Sequence, residues 1–126
     1  MRTITDHKLN GLNDALEIKV LDFPGHGGAC HQYSIAWGDP GDVTGHRSSK
    51  LLIDFQNGPM QEFGPNGISG EALLAIVIDR LRCFQAGPYA CRENAVSLTK
   101  LEEALMWLQK RTRERLSRGV EGTSAK

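Results

Sequence analysis

Five basic side chains, Lys110, Arg111, Arg113, Arg115 and Arg118, stand within residues 109–118, against Glu114 alone. A guanidinium forks onto paired oxygens of a phosphate, which a point charge does less specifically. On a helix Arg111, Arg115 and Arg118 recur at i, i+4 and i+7 and share a face. Such a face suits a compact polyanion. The same residues also fit a plainer role, in which cations near a helix C-terminus complement the macrodipole and keep the tip solvated. Two further side chains carry recognition chemistry. Phe84 stacks on a base or fills a core, and Asn94 hydrogen-bonds a base or ribose edge or opens a helix.

The stretch Pro24-Gly25-His26-Gly27-Gly28-Ala29-Cys30-His31 also holds reactive types. His26, Cys30 and His31 are possible zinc ligands or a Cys/His nucleophile pair. A zinc site wants about four ligands, and no CxxC or HxxxH partner stands elsewhere. Neighbouring residues of a strand point to opposite faces, which separates Cys30 from the His31 ring. A structural or ligand-lining loop is the reading adopted, with no metal. No Walker motif, GxGxxG or paired-carboxylate arrangement is present.

These residues must be positioned by an α+β chain. Glu17 to Phe23 alternates loosely and ends at Pro24-Gly25. His31 to Trp37 alternates strictly, with Tyr33, Ile35 and Trp37 on one face. A Gly-, Asp- and Ser-rich loop from Gly38 to Ser49 is expected to be exposed. Leu51 to Phe55 gives a third strand. Asn57-Gly58 signals a hairpin turn into a fourth strand around Met60 to Phe63, with Pro59 marking an edge or a strand start. The period then becomes helical. Ser69 caps a helix whose Leu73, Val77, Leu81 and Phe84 recur at helical spacing, until Gly87-Pro88. A second helix runs from about Glu93 to Arg118 and stops at Gly119. Its seam, Leu98, Leu101, Leu105 and Leu108, demands a partner helix, and the short connection makes an antiparallel hairpin. The next positions in register are Thr112 and Arg115, so an apolar seam runs straight into the arginines. Asn94 and Arg111 lie seventeen helical positions apart, roughly 25 Å at ~1.5 Å per residue. One small nucleotide touches both only if two subunits pack antiparallel, in an isologous oligomer.

At 126 residues the expectation is a single domain, a β region over about 17–64 and a helical hairpin over about 69–118. The net charge is zero, but residues 67–126 hold ten basic against seven acidic side chains. A local basic patch on a balanced chain argues against nucleic-acid coating, which wants a broad basic surface. The start, MRTITDHKLNG, has no apolar run, so neither a leader nor a membrane span is visible. Cys30, Cys83 and Cys91 are odd in number without framework spacing, which suits reduced thiols in a cytosol.

The stretch from Phe55 to Thr123 resembles the phage anti-defence sponge family, which includes Thoeris anti-defence proteins and shorter anti-CBASS sponges sharing a helical hairpin. The segments GPYACRENA (87–95) and KLEEALMW (100–107) are the most specific, and Pro24 to His31 is similar to the longer, Thoeris-type members. The likeness covers most of the chain from about residue 17. It implies a β sheet plus helical hairpin, oligomerising through the helices as dimers that build hexamers. It implies sequestration, without cleavage, of a cyclic ADP-ribose isomer with a glycosidic ring closure, made by TIR proteins. Some relatives also hold cyclic dinucleotides or trinucleotides at separate sites. By position in the hairpin, Phe84, Asn94, Arg111 and Arg115 match the family's cyclic ADP-ribose pocket.

The expected function is therefore a non-enzymatic sponge for an immune second messenger, needing no cofactor, nucleic acid or membrane, and working in the cytoplasm of the infected bacterial host. An alternative is an enzyme that hydrolyses the cyclic nucleotide through the Cys30/His31 region. A third is an oligomeric protein whose arginines bind a partner protein.

Overall fold

Residues 2–38, 44 and 48–126 are described by the computed structural model. They form two compact units, Met1–Ile68 and Ser69–Lys126. The first carries a four-stranded antiparallel sheet and the second two helices, so the α+β assignment holds.

The sheet runs in sequence order through β1 (Arg2–Ile4), β2 (Glu17–Val20), β3 (Gln32–Gly38) and β4 (Ser48–Asp54). Its register places Ile4, Ile18, Ile35 and Leu51 in one cross-strand row, with Val20, Tyr33 and Ile53 in the next. Directly opposed apolar side chains are the unit of sheet stabilisation, and both rows lie on one face. Val20 and Ser34 are almost fully buried. Phe55, just past β4, sets its ring edge-on to Tyr33 at 5.6 Å. The predicted face of β3 is thus confirmed through Tyr33 and Ile35, while Trp37 remains largely exposed.

Two expectations about this unit are corrected. The fourth strand is not Met60 to Phe63 but β1, ahead of the expected β region. Between β1 and β2 lies a one-turn helix, α1 (Gly11–Ala15), capped by the Asn10 side chain accepting from the Asn13 N–H at 3.0 Å. Met60–Phe63 is a short helix, α2. Gly58 does take a positive φ of 87°, but Pro59, at φ −62°, then leads into a helical turn. A hairpin would need backbone partners for β4's continuation, and those are already supplied. Gln56 N–H donates to the Ile68 carbonyl, and Asn57 N–H donates to Asn66 Oδ1 at 2.7 Å. The Asn66 amide returns a bond to the Asn57 carbonyl, closing residues 56–68 as a clasped loop. The expected loop Gly38 to Ser49 begins in β3 and ends in β4. Its residues 39–43 and 45–47 lie outside the described residues.

The second unit is the expected hairpin, α3 (Gly70–Gln85) packed on α4 (Arg92–Ser117). Ser69 Oγ accepts from the Ala72 N–H at 3.1 Å, as an N-cap should. Exposure corrects the α3 stripe. Ile78 is 2% exposed and Val77 is 45% exposed, so Ile78 replaces Val77 in the inward set, while Leu73, Leu74, Leu81, Phe84 and Gln85 are all half-buried. Leu73 beside Leu74 and Val77 beside Ile78 give α3 two apolar rows about 100° apart, and periodicity alone does not choose between them. The seam of α4 lies where the leucine spacing places it, except that Leu108 is exposed. Asn94, Leu98, Leu101, Leu105, Thr112 and Arg115 are its less exposed residues, at spacings of three, four and seven.

Candidate functional site

The hairpin turn positions one half of the candidate site. The Gln85 side chain reads the Cys91 backbone in both directions, accepting from its N–H at 3.1 Å and donating to its carbonyl at 3.2 Å. Cys91 is the N-cap of α4, its Sγ accepting weakly from the Asn94 N–H at 3.5 Å. These contacts fix the last turn of α3 against the first turn of α4, and so bring Phe84 and Asn94 to one end of the hairpin. Among the described residues the Asn94 side-chain amide has no hydrogen-bond partner. Phe84 is half-buried, with the Arg80 guanidinium 5.0 Å from its ring centroid. Arg80 sits one turn before Phe84 at i−4, a spacing that the sequence carries and that a reading of Phe84 alone misses.

The arginines occupy the other end. α4 is one continuous helix from Arg92 to Ser117, so the separation of roughly 25 Å between Asn94 and Arg111 stands. The structure divides the basic cluster three ways. Lys110 pairs with Glu114 and also lies 5.8 Å from the Trp107 ring. The Lys110 hydrogen bond and charge, with Arg118 beyond, hold the Glu114 carboxyl below its usual range. Arg111 and Arg113 are exposed and have no partner among the described residues. Arg115 is buried at 6% exposure and turned onto the segment after α4. Of the four candidate residues the fold therefore gathers Phe84 with Asn94, leaves Arg111 open, and engages Arg115 internally.

The Pro24–His31 loop is tied at its end by the Asp22 side chain. The Asp22 carboxylate accepts from the His31 N–H at 2.9 Å and the Gln32 N–H at 3.1 Å. The bond from the His31 backbone is the leading reason that the Asp22 carboxyl is held below its usual pKa. The His31 imidazole is buried, its Nε2 donating to the His26 carbonyl at 3.1 Å. Gly27 and Gly28, at φ 75° and 82°, carry the turn through the left-handed region. Among the described residues no group of three His, Cys, Asp or Glu side chains converges to hold a metal ion.

The family model for the Acb2/Tad1 hairpin domain matches residues 48–113, more than half of the chain. The chain belongs to the Acb2/Tad1 hairpin family. Its matched span holds Phe84, Asn94 and Arg111, and stops short of Arg115. The chain is also similar to the Thoeris anti-defense 1 protein of Bacillus phage SBSphiJ7, at 60% identity over 74 residues. That alignment takes in 59% of this chain and 52% of the relative, so the chain spans about half the length of the curated relative it matches. Among the described residues no helix is long and apolar enough to cross a membrane.

Proposed function

We propose that this protein is a phage anti-defence sponge, binding a cyclic ADP-ribose isomer and sequestering it intact in the host cytoplasm. The observation that carries the reading is the pair of unengaged recognition groups at opposite ends of one hairpin. Asn94 offers an amide for a base or ribose edge at the same end of the hairpin as Phe84, and Arg111 offers a guanidinium for phosphate. About 25 Å separates them, so the pocket is completed by the hairpin of a second subunit laid antiparallel on the first. Dimers of this kind, building hexamers, would cover exposed apolar side chains of the helices such as Ile76, Trp107 and Met106. Family membership and the Thoeris anti-defense relative support the same reading. To outcompete a host receptor the affinity should be nanomolar or better, about −12 kcal/mol.

The test is a binding panel with subsequent release. The protein is saturated with cyclic ADP-ribose isomers, cyclic dinucleotides or cyclic trinucleotides, washed, and heated. Recovery of an unchanged cyclic ADP-ribose isomer is expected. A hydrolysed product would establish an enzyme instead, and an empty protein would leave the arginines to a macromolecular partner.

A further inference from the structure

Arg115 is the least exposed residue of α4, and every nitrogen of its guanidinium donates a hydrogen bond within the chain. Nε meets Glu121 Oε2 at 3.0 Å. One terminal nitrogen meets the Ala125 carbonyl at 2.6 Å, and the other meets the carbonyls of Val120 at 2.9 Å and Thr123 at 3.1 Å. The acceptors are delivered by the helix stop. Gly119, at φ 71°, reverses the chain, and the Val120 N–H donates back to the Arg115 carbonyl at 3.0 Å in a Schellman arrangement. Residues 120–125 then wrap over the side chain.

One carboxylate oxygen and three carbonyl oxygens around a guanidinium make the acceptor set that a phosphate group would otherwise supply. We infer that the segment Val120–Ala125 is an internal competitor for the anion, with Glu121 holding it in place, and that phosphate reaches Arg115 only by displacing it. The inference rests on the proposed function, which puts an anionic ligand at this end of the hairpin. It adds a residue that sets affinity without belonging to the pocket. Glu121 also becomes a filter. A carboxylate or halide brings no more charge than the segment already provides, whereas a pyrophosphate brings two adjacent charges and a second anchor at Arg111.

The experiment compares the full chain with Glu121→Gln, which keeps the shape of the side chain and removes its charge. Arginine reactivity toward phenylglyoxal is measured residue by residue with mass spectrometry, without ligand. Arg115 should react more slowly than Arg111 and Arg113 in the wild type and faster in the variant. Equal reactivity of Arg115 and Arg111 in the wild type would overturn the inference. The same two proteins are titrated with a cyclic ADP-ribose isomer bearing a glycosidic ring closure. Glu121→Gln should bind roughly five-fold tighter, the upper end for release of a part-exposed ion pair. Unchanged or weaker binding by the variant overturns the competition while the proposed function stands. No binding by either protein overturns both.

Discussion

Asn94 and Arg115 lie on one stripe of α4, three heptads apart, at the two ends of the row that holds the half-buried Leu98, Leu101 and Leu105. The polar residues that bracket the leucines are thus in register with the seam, and not on the solvent face. Their spacing of roughly 31 Å at ~1.5 Å per residue exceeds any mononucleotide-sized ligand. A site using both ends of this stripe is intermolecular by geometry. The proposed antiparallel neighbour would bring the Asn94 end of one helix beside the arginine end of the other.

That arrangement predicts complementation. In an isologous dimer each pocket takes Asn94 from one chain and Arg111 from its partner. Asn94→Ala and Arg111→Ala should each abolish high-affinity binding alone. Co-expressed and assembled together, the two variants should regain roughly a quarter of the sites, because half of the dimers are mixed and each mixed dimer keeps one intact pocket. Calorimetric stoichiometry of the co-assembled sample checks this. No recovery would place the whole pocket within one chain or remove one of the two residues from it.

Arg111 and Arg113 are both exposed and unpaired among the described residues, but they lie ~200° apart around the helix. If the site lies on the seam side, Arg111→Ala should weaken binding by ~2–5 kcal/mol and Arg113→Ala by far less. Light scattering on both variants ensures that assembly is unchanged. Equal small losses at the two positions would mean a solvated helix end with no pocket.

The sheet unit has its own pH dependence. Asp22 accepts backbone N–H bonds from His31 and Gln32, and its carboxyl is held below the usual 3.8. A depressed folded-state pKa contributes stability that is present above the unfolded value and lost as pH falls through the folded one. Protection of the His31 and Gln32 amides, taken relative to the intrinsic exchange rate at each pH, should therefore hold above pH ~4 and fall as the pH drops below it. Asp22→Asn should flatten that dependence. An acid response identical in wild type and variant would assign the transition to other carboxylates.

The legibility of each feature in the residues depends on the kind of signal it leaves. The leucine seam of α4 and the hairpin bounded by Ser69 and Gly119 are periodic or punctuated, and the structure bears both out apart from the exposed Leu108. β1 escapes a sequence reading because three residues, Arg2-Thr3-Ile4, are too short for alternation to register, and their pairing with β2 is a tertiary fact. Met60–Phe63 reads as a strand because Asn57-Gly58 marks a reversal without fixing the conformation of the next residues. The side chains of Gln56 and Asn66, not a strand ladder, satisfy the backbone there. At the candidate site, residue type and spacing leave Phe84 and Asn94 open to a core and a helix-start role, and the family resemblance is what groups them with Arg111 and Arg115. Glu121 leaves no such trace, since its link to Arg115 depends on the left-handed turn at Gly119, which no helical periodicity carries.

Gly119 itself gives the last prediction. A Cβ added there meets nothing within 4 Å, so Gly119→Ala creates no clash. The cost is purely conformational. Holding an L-residue at φ 71° costs about 1–2 kcal/mol, and the chain can avoid it by letting the segment after α4 leave its place. The helices should be retained, because their inward rows are untouched, and far-ultraviolet circular dichroism should barely change. Exchange of the Val120 and Thr123 amides, which donate to the Arg115 and Val120 carbonyls, should speed up roughly 5- to 30-fold if the strain is relieved this way. If those amides keep their wild-type protection while the melting temperature falls, the turn has absorbed the strain. The Schellman reversal would then be more rigid than its exposed position suggests.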